Sequence, residues 1–248
     1  MIDRKRDNYG IRQYFEEIIK ESIDVFNELT RWSDDDMQDF SLLLTDLKSD
    51  KCKTTKEKGN KLEKLVEFII KKTFFFDVYS NVRTGTNEID EIITLSSKGK
   101  QALEKFGICK DLLEVDSDVT LGECKNYGRK LGVTYIGKFY SLMISTNVSF
   151  GIIFTTNGLT GNEKEFRDSY GLIKVLRIIE KYKNNNDDFY IITFDLSDYE
   201  KMQEGTSFFE LIKAKKFALR MSANYDQFLQ TYEHSETKTI KSILDGRC

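Results

Sequence analysis

Between residues 11 and 29, apolar side chains return every three or four positions: Ile11, Tyr14, Phe15, Ile18, Val25, Phe26 and Leu29, with Ser22 in the same line. Arg12, Glu16, Lys20 and Glu21 fall mostly on the other side, so the stretch predicts an amphipathic helix. Ser33 followed by Asp34, Asp35 and Asp36 is a helix start, a hydroxyl cap with acids in the first turn. The second helix buries Met37, Phe40, Leu44 and Leu47. Residues 1–50 therefore read as a helical hairpin whose apolar faces need a cover, either the rest of the chain or a second copy; the alternative, a DNA-contacting or specificity element, is disfavoured by its weak basic content.

The pattern then breaks. Residues 48–58 are polar and charged, which predicts a solvated connection. A helix is expected over 59–72, burying Leu62, Leu65, Val66, Ile69 and Ile70, with Glu63 and Glu67 one turn apart on its flank. Residues 74–83 and 88–95 are β-branched and aromatic, and the turn residues Thr84-Gly85-Thr86-Asn87 between them predict a hairpin. Residues 96–118 are an insertion, with a short helix over 100–106 and an acidic approach at Glu114, Asp116 and Asp118.

A strand ending in Leu121-Gly122-Glu123-Cys124-Lys125 comes next, then a basic turn, Gly128-Arg129-Lys130-Leu131-Gly132. A helix over 133–146 follows, with Val133, Ile136, Tyr140, Met143 and Ile144 inward and Thr134, Lys138, Ser141 and Ser145 opposite. Residues 150–156 are a continuous apolar run, the mark of a strand buried on both faces. A helix over 163–182, a loop over 183–188, a strand over 189–194 and a helix over 207–220 complete the ordered part. Residues 221–248 are a polar tail. This order predicts an α/β fold, a mixed central sheet flanked by helices, over 51–220.

Composition narrows the class. With 40% hydrophobic and 32% charged residues the chain is globular, and no apolar run is long enough for a membrane helix. No apolar segment stands behind Met1–Arg6, so no signal peptide is expected. The thiols of Cys52, Cys109, Cys124 and Cys248 are scattered, which fits a reducing cytoplasm. The net charge of −3 argues weakly against a polyanionic partner, although a local basic groove can sit on an acidic protein. The single His, His234, removes serine-type triads and most zinc sites. Chemistry on this chain runs on carboxylates, lysines and a hard cation.

Three residues stand out for such chemistry. Side chains two apart on a strand share a face, so Glu123 and Lys125 point together and Cys124 points away. Asp90 lies among isoleucines on the preceding strand, where an unpaired acid would be costly. Two carboxylates and an amine would meet at one sheet edge, and two hard oxygen ligands with open positions suit Mg²⁺. A plain ion pair between Glu123 and Lys125 is the competing reading.

Asp90 followed by Glu123-Cys124-Lys125 resembles the PD-(D/E)xK nuclease pattern in its restriction-endonuclease-like, Mrr-like branch. Residues 58–66 resemble the first core helix of that family, which opens with Gly and carries a Glu, and residues 150–161 resemble its next strand and small-residue exit. The likeness spans roughly residues 58–200, and the chain departs from the pattern in having no Pro before Asp90.

The resemblance implies an Mg²⁺-dependent endonuclease acting on DNA, with Mn²⁺ as a substitute and a restriction or defence role. A non-catalytic nucleic-acid module and an RNA-processing or repair nuclease are the alternatives. Asp90 and Glu123 would hold the metal, Lys125 would orient or deprotonate water or stabilise charge, and Glu63 would support the metal site, with Glu67 a weaker candidate. Lys138 borders the site in this family and would reach the phosphate. Arg129 and Lys130 in the basic turn and Arg83 at the hairpin mouth are placed for phosphate contacts or for surface ion pairs. Cutting both strands needs two sites, so a homodimer is expected.

Overall fold

The structure is a computed structural model that describes residues 4–49, 54–83, 88–115, 117–161, 167–184, 189–221 and 228–229. The expected turn at 84–87, Asp116, the start of the 163–182 helix and the tail beyond 229, with His234, lie outside the described residues.

A five-stranded sheet runs in chain order, β1 (Phe76–Arg83), β2 (Glu88–Leu95), β3 (Val119–Lys125), β4 (Phe150–Thr155) and β5 (Tyr190–Phe194). The first three strands are antiparallel neighbours, and β3–β4 and β4–β5 are parallel. The sheet is thus mixed, as expected. Every residue of β4 and β5 is buried, because helices cover both faces there.

The helices divide between two apolar layers. On one face α2 (Asp34–Lys48), α3 (Thr55–Lys72), α4 (Ser97–Lys105), α7 (Leu196–Gln203) and α8 (Phe208–Met221) pack against Phe76, Ile93, Cys124, Phe154 and Phe194. On the other, α5 (Val133–Ser145) and α6 (Asp168–Asn184) pack against Leu121, Ile153 and Ile191. This alternation along β3 puts Cys124 on the α3 side and leaves the side of Leu121 to its neighbours two residues on, Glu123 and Lys125.

Local chemistry accounts for most boundaries. Ser33 caps α2 in a reciprocal box with Asp36. Met37 is half-buried and Phe40, Leu44 and Leu47 are buried, as the periodicity requires. Thr54 caps α3 by accepting the Glu57 N–H, so the helix begins at Thr55 and takes up the last residues of the expected linker. The charged first turn is compatible with a helix because its side chains are solvated. α7 has no counterpart among the expected elements. It is held by a capping box between Asp195 and Asp198, and it is only eight residues long.

The N-terminal helix α1 (Arg4–Thr30) departs from expectation. Its last turns pack: Phe26 stacks on Phe75 at 5.5 Å and meets Phe209 at 5.3 Å, and Ser22 donates to the Gly107 carbonyl at 3.1 Å. Farther out, Ile11, Tyr14, Phe15 and Ile18 are exposed. The apolar line is continuous along the helix, but among the described residues the body lies beneath only its C-terminal end.

Candidate nuclease site

The site forms where β2 and β3 stop pairing. Their ladder runs from Thr94↔Val119 to Glu91↔Gly122 and ends there. One residue farther along β2, the Asp90 side chain takes over the role of a strand neighbour and accepts the Cys124 N–H at 2.9 Å through Oδ2. An Asp on this strand is therefore tied to the sheet by a backbone amide, which fixes its carboxylate without a second side chain.

The Lys125 ammonium lies between the two acids. Its Nζ donates to Asp90 Oδ2 at 2.7 Å and stands 2.8 Å from Glu123 Oε1. All three side chains are mostly buried, with about a fifth of each accessible. Burial raises the Glu123 pKa and the neighbouring Asp90 charge adds to this, while Lys125 and Lys138 oppose it. For Lys125 burial works against the charged form, but the Glu123 charge and the hydrogen bonds to both acids prevail, and its pKa is raised. Lys125 is held as a cation. The convergence expected from the sequence is present, and Asp90 and Glu123 sit on the same side of the sheet.

Two carboxylates aimed at one ammonium are also a fit for a divalent cation. The donors are hard oxygens, and they already converge on a positive charge at hydrogen-bond distance. Among the described residues no group of three or more His, Cys, Asp or Glu gathers into a metal-holding cluster, so Asp90 and Glu123 are the two donors at this point.

Glu63 is placed differently. It lies on α3, whose apolar face covers the other layer of the sheet, and its Oε2 accepts from Asn81 Nδ2 at 3.4 Å. Among the described residues it makes no hydrogen bond or ion pair with Asp90, Glu123 or Lys125. Asn81 has φ 56° and stands between Ser80 and Val82, whose partners Glu91 and Ile89 flank Asp90. Glu67 pairs with Lys71 at 2.5 Å on the surface of α3.

Of the basic residues, Lys138 on α5 is near enough to lower the Glu123 pKa. Arg129 and Lys130 are exposed in the β3–α5 connection. Arg83 faces Glu88 across the mouth of the hairpin at 3.5 Å, an exposed cross-strand pair.

Two features were not read from the sequence. Asn126 clamps the exit of β3: its Nδ2 donates to the Lys58 carbonyl at 2.7 Å, and its Oδ1 accepts from Thr156 at 2.9 Å. Asn157 in turn donates to the Tyr127 carbonyl at 2.6 Å. The signal was available, an Asn-Tyr pair directly after Lys125 and a Thr-Asn pair at the exit of the adjacent strand. The second feature is Glu91, which is fully buried on the α3 face. One oxygen accepts from Ser80 at 2.7 Å, and Oε1 has no partner among the described residues. Gly122 makes room for it, since a Cβ there would lie 2.8 Å from the Glu91 Cβ and 3.3 Å from the Phe154 ring. Burial, the Glu63 and Glu67 charges and Asp90 push its pKa up to about 7, against the Ser80 hydrogen bond.

No curated protein and no solved structure matches the chain. A family model described as restriction endonuclease, of the Mrr catalytic type, matches residues 54–180. The matched span opens at the cap of α3, closes inside α6, takes in the three converging side chains and covers just over half of the chain. The protein therefore belongs to the Mrr-type restriction endonuclease family and is a nuclease of that type.

Proposed function

We propose that this nuclease is a divalent-cation-dependent endonuclease that hydrolyses DNA phosphodiester bonds, with Mg²⁺ as the resident cation and Mn²⁺ as a substitute. The observation that carries the reading is the Lys125 ammonium bridging Asp90 and Glu123 at 2.7 and 2.8 Å. Asp90 and Glu123 would hold the cation, which when bound supplies Lewis-acid charge at the scissile phosphate.

The chain's own residues do the rest. Asp90, anchored by the Cys124 amide, keeps its carboxylate in place as substrate arrives. Lys125, paired with both acids, would meet the negative charge that develops on the phosphate oxygens during attack, or would orient or deprotonate the attacking water. Lys138 on α5 and the exposed Arg129 and Lys130 of the β3–α5 connection would bind the DNA backbone as point charges. Arg83 at the hairpin mouth joins them on release from Glu88. Glu63, which accepts from Asn81, would support the metal site from α3.

A soluble cytoplasmic enzyme of this kind suits restriction or defence, and cutting both strands calls for two copies on a two-fold axis. Among the described residues no helix is long and apolar enough to cross a membrane.

Purified protein with supercoiled plasmid tests the proposal. We expect nicked and linear products with Mg²⁺ or Mn²⁺ and none with a chelator. Cleavage of RNA but not DNA would overturn the substrate. Binding of DNA without cleavage under any divalent cation would overturn the enzyme and leave a binding module.

A further inference from the structure

We propose that the exposed N-terminal part of α1 is a dimerisation element, on which α1 of a second copy packs antiparallel. The proposal deepens the two-copy reading above and gives it a surface.

The first observation is exposure. Every residue from Gly10 to Glu21 is exposed, so this half of α1 is a helix that overhangs its own body. Isolated helices of this length are marginal in water, and most helical stability in proteins comes from packing an apolar face. α1 has such a face, and none of the described residues of its own chain covers it. Ile11, Tyr14, Phe15, Ile18, Ile19 and Ile23 are each between 37% and 63% exposed. The same line continues into Val25, Phe26 and Leu29, which pack on the core. The overhang is therefore the prolongation of a packing stripe past the edge of the domain. Contiguous exposed apolar patches of this kind mark interaction surfaces.

Two further observations choose a second copy as the occupant. One is area. The exposed parts of these six side chains amount to roughly 600–700 Å² per copy. A symmetric pair that covered them completely would bury roughly twice that, the lower end of the range of specific interfaces.

The other is charge. The first part of the helix carries Arg4, Lys5, Arg6 and Arg12 against one acid, Asp7. The following part carries Glu16, Glu17, Glu21, Asp24 and Glu28 against one base, Lys20. An antiparallel pair lays the basic end of each helix along the acidic end of the other, whereas a parallel pair would set like charges side by side. An isologous contact of this sort closes on itself with two-fold symmetry and leaves no open end to grow a filament.

The test is sedimentation of the full chain, whose monomer mass is 28.9 kDa. Wild type is expected to run as a dimer at micromolar concentration. Ile11→Glu, Phe15→Glu and Ile18→Glu together should weaken the dimer by about a hundredfold or more. These positions are solvent-exposed in the single chain, so the thermal midpoint of the monomeric variant reports whether the core has kept its fold. Association should weaken as sodium chloride is raised, since the ends attract; strengthening with salt would overturn the antiparallel arrangement.

A wild type that is monomeric at high concentration overturns the proposal and the two-copy reading together. A dimer that survives the triple substitution overturns only the α1 assignment. That result would move the contact elsewhere, for example to the exposed Val175, Ile178, Ile179 and Tyr182 of α6. None of these outcomes depends on nuclease activity.

Discussion

Lys125→Ala should lower plasmid cleavage by about 10²- to 10⁴-fold while changing DNA affinity little. The reasoning starts from the ion cluster. In the resting site the ammonium pairs with both Asp90 and Glu123, at 2.7 and 2.8 Å. Asp90 and Glu123 would hold the cation, which would supply Lewis-acid charge, and Lys125 beside them would face the phosphate. Its contribution is largest when negative charge builds on the phosphate in the transition state, so its loss is read in the rate and not in binding. One phosphate contact among several contributes little to affinity.

The carboxylates should behave differently. Asp90→Asn keeps an oxygen to accept the Cys124 N–H, so the strand end is preserved while the ligand charge is lost. Glu123→Gln likewise keeps shape and loses charge. Both should lose cleavage together with Mn²⁺ affinity measured calorimetrically, whereas Lys125→Ala should keep that affinity. Wild-type cutting by Lys125→Ala would reduce the lysine to a structural counter-ion.

The second large effect is on stability, at Glu91. Its folded pKa of about 7 lies above the ordinary carboxyl value of 4.5. The folded state therefore binds this proton more tightly than the unfolded chain does. Below the unfolded value both states are protonated and the group contributes nothing. As pH rises through the window between 4.5 and about 7, folding must bury a charge that the unfolded chain leaves in water, and stability falls. The full difference is roughly 3 kcal/mol, reached above the folded pKa.

Glu91→Gln mimics the neutral acid and can still accept from Ser80. It should match wild type at about pH 4 and exceed it by roughly 3 kcal/mol at about pH 8 in denaturant unfolding. Equal effects of the substitution at both pH values would show that the carboxyl does not titrate in this range.

The sequence made the sheet and the central triad legible for different reasons. The strands announce themselves because β4 and β5 are continuous apolar runs and β1 and β2 are β-branched. Asp90, Glu123 and Lys125 could be placed together because strand alternation dictates faces and the strand order was the simplest available.

What alternation does not tell is what lies beneath each face. Asp90 and Glu91 are adjacent acids in one strand, so one of them had to point at the α3 layer, yet nothing in the pattern says that Gly122 opens a space for it. The position of Glu63 was out of reach for a related reason. A helical period gives the buried stripe of α3 but not which layer of the sheet it covers. For α1 the period correctly grouped the apolar residues, and only the three-dimensional extent of the body shows that half of them overhang it. The missed α7 is short, and its box of Asp195 and Asp198 was the one local sign.

One consequence follows from the way Asp90 substitutes for a strand neighbour. The bond from the Cys124 amide to Asp90 Oδ2 makes a candidate metal ligand part of the sheet's own ladder. Protection of that amide against hydrogen exchange is therefore coupled to the orientation of the carboxylate. Any event in the site that draws Asp90 away frees the amide, and any event that locks Asp90 in place slows its exchange. The backbone of β3 thus carries a native, label-free gauge of site occupancy, readable residue by residue without following a single cut.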